Sequence, residues 1–331
     1  MTDPLNILAT AQDYVPPVDN DKVQQKVFSH ADLMATQFQP TKWIVEKLIP
    51  ASGLTVLGGK KKLGKSWLSL QIAQGVAGGK PVLSYVTCQG NVIYMALEDG
   101  IKRLRVRLEK QHAPGMLPIT YITECVPLNY KGGKEAFEAL LTEHKPILLI
   151  IDTFAAAKSG KVDENEAGGM ADLTNYLRRK AQEFECAILL VLHHGKATHG
   201  NAGDDIRGSS AIAGAADLNI GLYKDESGFK LAGEGRDIEE FELKIEFDAV
   251  DTWKWQLVGD ARQIAREQAE NEIIEALEGL VKADAGAIAK EVGKARQTVN
   301  TTLKRMRKDG KLHFESVETS GGNKFTYSLK G

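Results

Sequence analysis

The stretch Leu54-Thr55-Val56-Leu57-Gly58-Gly59-Lys60-Lys61-Lys62-Leu63-Gly64-Lys65-Ser66 decides the fold of this 331-residue chain. From Gly59 onward it satisfies G-x-x-x-x-G-K-[ST] at every fixed position. The apolar run before it reads as a buried strand. The periodic Ser66-Trp67-Leu68-Ser69-Leu70-Gln71-Ile72-Ala73 after it reads as an amphipathic helix. Glycines let backbone N–H groups curl round a polyphosphate, and the helix N-terminus favours its negative charge. Gly59, Lys62, Gly64, Lys65, Ser66 and Trp67 are therefore the candidate nucleotide contacts. Lys65 is predicted to reach the β- and γ-phosphates, and the Ser66 hydroxyl to ligate Mg²⁺. The expected ligand is a nucleoside triphosphate with Mg²⁺.

Outward from the loop, continuous aliphatic runs end in polar residues. Asn91-Val92-Ile93-Tyr94-Met95-Ala96-Leu97 ends at Glu98-Asp99, and Ile147-Leu148-Leu149-Ile150-Ile151 ends at Asp152. Ala187-Ile188-Leu189-Leu190-Val191-Leu192 ends at His193-His194. Ile119-Thr120-Tyr121-Ile122 is a further strand candidate. Runs apolar on both faces, separated by helical patterns, predict an α/β fold with a mostly parallel sheet covered on both sides. From 217 to 257 the pattern turns to short alternating strands, expected as an antiparallel extension of that sheet.

In such sheets ligands sit at the carboxyl ends of the strands. Asp152 fits an aspartate that holds Mg²⁺ through water. Glu98 is placed to polarise the water attacking a γ-phosphate, with Asp99 as its competitor. A strand-end carboxylate alone is as often a cap. Of the two histidines, His194 is favoured as a hydrogen-bonding sensor of the γ-phosphate, with no carboxylate or Cys nearby at metal-ligand spacing.

Composition bounds the rest. Hydrophobic residues make up 43% and charged residues 26%, which reads as globular, and no apolar run is long enough to span a bilayer. Cys88, Cys125 and Cys186 are odd in number and widely spaced, so they are expected as reduced core thiols. The start carries no basic-then-apolar signal, so the expected location is cytoplasmic. The net charge of −2 hides an asymmetry, because residues 281–331 hold 11 Lys or Arg against 5 Asp or Glu. A small basic tail on an acidic body suits a nucleic-acid binder.

Three regions are expected: an N-terminal arm over 1–40, an ATPase core over 41–259, and a winged-helix domain over 260–331. In the last, Ala285-Gly286-Ala287-Ile288-Ala289-Lys290-Glu291-Val292 makes a short helix. Arg296-Gln297-Thr298-Val299-Asn300-Thr301-Thr302-Leu303-Lys304-Arg305-Met306 makes a recognition-type helix, with Arg296, Asn300, Lys304 and Arg307 outward. Leu312-His313-Phe314-Glu315 and Phe325-Thr326-Tyr327-Ser328-Leu329 make the wing. Duplex DNA is the favoured partner of this domain, with an initiator protein as the alternative.

Several motifs together resemble the RecA/DnaB-type ATPase core and, more closely, the RepA-like hexameric helicases of plasmids and phages. They are Trp43-Ile44-Val45 with Ile49-Pro50, Lys62-Leu63-Gly64-Lys65-Ser66-Trp67, Ala96-Leu97-Glu98-Asp99 and His193-His194-Gly195-Lys196. Arg207-Gly208-Ser209-Ser210-Ala211-Ile212, Ala216-Asp217 and Gly235-Arg236-Asp237 complete the set. The resemblance covers about residues 43–257. It implies a RecA-like core, a ring of six subunits with ATP at each interface, and an arginine finger supplied by a neighbour. Arg236 and Arg207 compete for that role. It also implies that loops 155–169 and 195–208, with Lys196 and His199, contact single-stranded DNA at the ring centre; a solvated loop is the plain alternative. The implied activity is ATP-dependent DNA translocation or unwinding in replication. The alternatives are a non-translocating DNA-binding ATPase and a RecA-like recombinase.

Overall fold

A computed structural model describes residues 28–36, 41–158, 167–193, 205, 210–236, 238–319 and 322–329. The chain divides into two compact units, Met1–Pro40 and Thr41–Gly331. In the first, α1 (His30–Ala35) carries a capping box, with the Ser29 hydroxyl accepting from the Asp32 N–H and the Asp32 carboxylate accepting from the Ser29 N–H. This short helix has no buried residue, so local capping holds it. It falls within the expected 1–40 arm.

The second unit opens with a short hairpin, β1 (Trp43–Val45) and β2 (Ile49–Pro50), followed by the loop-bearing strand β3 (Leu54–Gly59) and helix α2 (Lys65–Gly78). Strands β4 (Val92–Ala96), β5 (Ile119–Ile122), β6 (Leu148–Asp152), β7 (Ala187–Val191) and β8 (Leu218–Asp225) follow. Between them run α3 (Ile101–Lys110), α4 (Gly133–His144), α5 (Ala167–Glu183) and α6 (Ser210–Ala215). A meander of β9 (Gly228–Gly235), β10 (Ile238–Phe247) and β11 (Trp255–Asp260) closes the sheet.

The nine strands lie in the order β11-β10-β9-β8-β3-β7-β6-β4-β5. From β8 to β5 every pair is parallel; β8-β9-β10-β11 is antiparallel. The expected antiparallel extension thus holds for β9 to β11, whereas β8 pairs parallel with β3 and belongs to the parallel part.

Alternation along the strands builds two cores. Val92, Tyr94 and Ala96 face the side covered by α2 and α3, with Leu68, Leu70, Ile72 and Leu104. Ile93 and Met95 face the side covered by α4 and α5, with Phe137, Leu141, Leu173 and Leu177. Strands buried on both faces are why the sequence shows unbroken aliphatic runs rather than alternation. Because α2 and α3 cover one face while α4, α5 and α6 cover the other, the carboxyl ends of β3 and its neighbours open into a crevice.

The C-terminal stretch holds α7 (Ala261–Leu280), β12 (Ala283–Asp284), α8 (Ala285–Glu291), α9 (Arg296–Lys308), β13 (Leu312–Thr319) and β14 (Gly322–Leu329). The three strands form a small antiparallel sheet in the order β12-β14-β13. A separate apolar cluster holds it together, built from Ile273, Leu277, Ile288, Val299, Leu303, Met306, Leu312 and Tyr327. Asp260 starts α7 by accepting the Gln263 N–H, and Asp284 starts α8 by accepting from Gly286 and Ala287.

Of the cysteines, Cys186 is buried as expected, but Cys88 is exposed, at the loop before β4 rather than in a core. Among the described residues no helix is long and apolar enough to cross a membrane.

Candidate functional site: the phosphate loop and its cleft

Gly64 turns the loop into α2 with φ +102°, a left-handed conformation that favours glycine. A Cβ there would also stand 2.7 Å from the Trp255 ring, so the indole packs directly under the loop. Trp255 is fixed from three directions. Its Nε1–H donates to the Gly64 carbonyl at 3.2 Å, its backbone N–H donates to Gln71 Oε1 at 2.8 Å, and its carbonyl accepts from Gln71 Nε2 at 2.8 Å. Strand β11 therefore splints the loop to its own helix.

Lys65 is only 5% exposed. Its ammonium donates to the carbonyls of Gly59 at 2.7 Å and Lys60 at 3.0 Å, and lies 3.1 Å from His193 Nδ1. An ammonium only donates, so this His193 nitrogen accepts and the ring proton of the neutral imidazole sits on Nε2. Burial pushes the Lys65 pKa down to about 8, against the pull of Asp152 and Glu98.

Asp152 ends β6 and is 4% exposed. Burial raises its pKa, and hydrogen bonds from Tyr94 and Ser66 oppose that rise. The Tyr94 hydroxyl donates to Asp152 Oδ2 at 2.6 Å, so the Ser69 hydroxyl, 2.8 Å away, is the donor to Tyr94. A relay from α2 through β4 thus aims the carboxylate at the end of β6. The next residue, Thr153, donates from Oγ1 to Glu98 Oε1 at 2.6 Å. Glu98 lies on the exposed bend beyond β4, within the cleft. Its competitor Asp99 is held by Arg103 at 3.2 Å and by Arg107. Both carboxylates line the cleft, but Asp99 is engaged by two guanidiniums whereas Glu98 accepts from the Thr153 hydroxyl.

The cleft encloses about 990 Å³. Lys61, Lys62, Lys65, Ser66, Glu98, Asp152 and His193 line it, as do Arg103 and Arg107 of α3. Helix α3 thus brings two guanidiniums to the cleft beside the lysines, and Arg107 lies 5.5 Å over the Trp67 ring. Trp67, Phe229, Phe247 and Trp255 form the aromatic part of the wall. Ser66 and Asp152 supply the hard oxygen donors that suit Mg²⁺, an ion that keeps several waters and takes one or two protein groups beside the phosphates.

The structure thus brings Gly59, Lys62, Gly64, Lys65, Ser66, Trp67, Glu98 and Asp152 together at one end of the sheet. It does not bring Arg236 there. Gly235 pairs with Leu218 at the start of β8, the Arg236 N–H donates to Asp217, and Asp217 donates to Leu54 at the start of β3. Arg236 lies at the amino-terminal edge of the sheet, exposed, its guanidinium donating to the Gly214 carbonyl. The length of β3, roughly 17–20 Å for a six-residue strand, separates it from the loop. His194, Lys196, His199 and Arg207 lie outside the described residues, as do the centres of both expected DNA loops.

In the C-terminal stretch, Val299, Thr302, Leu303 and Met306 are the buried face of α9. Arg296, Lys304 and Arg307 are exposed and Asn300 is half-buried. Arg307 stacks over Phe314 at 4.5 Å and Phe325 at 5.7 Å. Arg305 and Lys311 both pair with Glu270 of α7, so these two cations bind the stretch together.

A phosphate loop, a strand-end aspartate and a second-strand glutamate at the crevice of this sheet define a P-loop ATPase with a RecA-like core. The chain belongs to the AAA domain family, which matches over residues 20–199. P-loop ATPases of this kind bind ATP with Mg²⁺ and hydrolyse it. Among solved structures, a DnaB-like replicative helicase described with its primase interactions aligns at 13% identity and a TM-score of 0.47. That alignment covers 62% of this chain and 57% of that one. A KaiC-like protein from the hyperthermophilic archaeon Pyrococcus horikoshii OT3 aligns at 12% identity and a TM-score of 0.46, over 66% of this chain and 99% of that one. No curated protein matches.

Tyr94, Thr153, His193, Arg107 and Trp255 are the residues of this site to which sequence reasoning gave no role. Two of them carried a signal: His193 as a polar residue ending an aliphatic run, and Tyr94 as the one hydroxyl inside an otherwise aliphatic strand.

Proposed function

We propose that this protein is an ATP-driven DNA motor, a ring-forming replicative helicase of a plasmid, phage or other mobile element. The observation that carries the reading is the split of the catalytic charges between the two edges of one sheet. Lys65, Ser66, Asp152 and Glu98 gather at the carboxyl edge, and Arg236 is exposed at the amino edge. A cation that cannot reach its own cleft suits a finger that completes a neighbour's site, as the motif resemblance implies. In this reading Glu98 takes the proton of the attacking water, held in place by Thr153. Lys65 leaves its carbonyl partners for the β- and γ-phosphates. Ser66 and a water on Asp152 would hold Mg²⁺, which neutralises charge on the phosphates when bound.

The proposed division is a 1–40 arm, a 41–259 motor and a 260–331 winged-helix domain. The order α7-β12-α8-α9-β13-β14, with an outward basic face on α9, supports duplex binding through that domain. Single-stranded DNA would pass the loops after Asp152 and His194, with Lys196 and His199 as contacts. One forked-DNA unwinding assay with ATP tests the function. Strand displacement that requires hydrolysis is expected; hydrolysis and DNA binding without displacement would make the protein a regulatory switch. Arg236→Ala or Arg207→Ala should bind ATP but lose turnover. Mixing with Lys65→Ala subunits, which keep their fingers, should restore part of it.

A further inference from the structure

The cleft is larger than a triphosphate needs, and its second part is aromatic. Four rings run without a break from the phosphate loop. Trp255 touches Gly64, Phe229 lies 5.0 Å and Phe247 4.9 Å from Trp255, and Trp67 lies 6.0 Å from Phe247. All four line the cleft, and three of them are only half-buried. An apolar wall open to solvent costs free energy unless something covers it. Two cations flank the rings: Arg107, 5.5 Å over Trp67 and paired with Asp99, and the exposed Lys224, 5.0 Å over Phe229.

We infer that this wall is a nucleobase platform that accepts any base by stacking and discriminates little between them. The inference rests on the nucleotide-binding reading of the loop and adds the class of nucleotide that the site takes. Phosphates at Lys65 and Ser66 put the attached nucleoside within reach of rings that begin at Gly64. Every base has a π-face, so stacking tolerates all of them and favours the larger purines modestly. Strong discrimination needs polar groups that are left unpaired by the wrong base. Here Arg107 and Asp99 already satisfy each other, and the exposed Lys224 ammonium is a donor that acceptors on any base can use.

The test is calorimetric titration of the full chain with Mg²⁺ and ATP, GTP, CTP, UTP or inorganic tripolyphosphate, using non-hydrolysable nucleotide analogues. ATP and GTP are expected to bind within roughly ten-fold of each other, with CTP and UTP a few-fold weaker. Phe247→Ala should weaken all four nucleotides by roughly ten-fold or more while leaving tripolyphosphate unchanged, and Phe247→Tyr should restore them. If Phe247→Ala does not fold, as judged by circular dichroism, Trp67→Leu makes the same comparison. A preference above roughly a hundred-fold for one purine, or nucleotide affinities untouched in both variants, overturns the platform. Failure of tripolyphosphate and nucleotides alike to bind wild type would instead overturn the phosphate-loop reading beneath it.

Discussion

The phosphate cleft and the C-terminal stretch use charge in opposite ways. In the cleft, Lys65 and Asp152 are 5% and 4% exposed, and each is aimed by named partners from other strands. On α9, Arg296 and Lys304 stand in solvent, placed only by the helix that carries them. A desolvated charge is worth much and tolerates no displacement; an exposed one is screened and acts as part of a sum. Single substitutions should therefore act all-or-none in the first region and by increments in the second.

The sharpest break between the two is expected at Glu98. Glu98→Gln keeps the Thr153 hydrogen bond but cannot take a proton, so ATP should bind normally while kcat falls roughly 10²–10⁴-fold. Single-turnover hydrolysis alongside a binding titration checks it. A near-wild-type rate would move the base to Asp99, despite its two arginine partners.

This contrast also explains what the sequence revealed. The loop, β4, β6 and β7 were legible because strands buried on both faces leave aliphatic runs that end in polar residues at the crevice. The partners that aim those residues were not. Gln71 and Trp255 meet across 184 positions, and Tyr94 reaches Asp152 across 58. Such pairs depend on strand order and register, which no local pattern encodes. The histidines show the same limit. The doublet alone does not say which member meets the loop, and the phase of β7 places His193 on Lys65. Arg103 and Arg107 reach the cleft only through the packing of α3 beside the loop. In the C-terminal stretch local periodicity sufficed. The apolar spacing of α9 alone separates Val299, Leu303 and Met306 from Lys304.

A second, smaller effect divides the regions physically. Deleting everything beyond Asp260 removes α7 and the cluster around Leu303 but leaves Trp255 beneath the loop. ATP hydrolysis should persist, while duplex affinity at low salt should drop roughly 10- to 100-fold. Loss of hydrolysis in a folded truncation would show that the two regions are not independent.

The desolvated lysine gives a pH signature that exposed charges lack. Lys65 has a pKa near 8 in the free protein, and bound phosphate raises it. Nucleotide affinity is therefore complete below about pH 8 and falls up to ten-fold per pH unit above it, with proton uptake on binding. Calorimetry at pH 8.5 in buffers of different ionisation enthalpy reads that uptake, and Lys65→Met should abolish it. The same group makes the free protein's stability rise with pH from about 8 to the ordinary lysine value of 10.5, the window in which only the unfolded chain holds the proton.

The smallest effects belong to α9, where they separate two kinds of basic residue on one helix. Lys304 is exposed, whereas Arg305 is paired with Glu270. Lys304→Ala should leave the melting temperature unchanged and lower the slope of log affinity against log salt for duplex DNA by roughly one unit. Arg305→Ala should do the reverse. It frees half of the Glu270 carboxylate, which Lys311 and Arg305 together hold below its ordinary pKa. That pairing stabilises the fold at neutral pH, and its contribution is lost as pH falls through the depressed value. A destabilisation of about 1–2 kcal/mol at pH 7, shrinking towards acid, is expected for Arg305→Ala, with the salt slope nearly intact. Equal changes in slope for the two variants would mean that Glu270 does not withhold Arg305 from DNA. The division between charges that bind and charges that build would then fail on this helix.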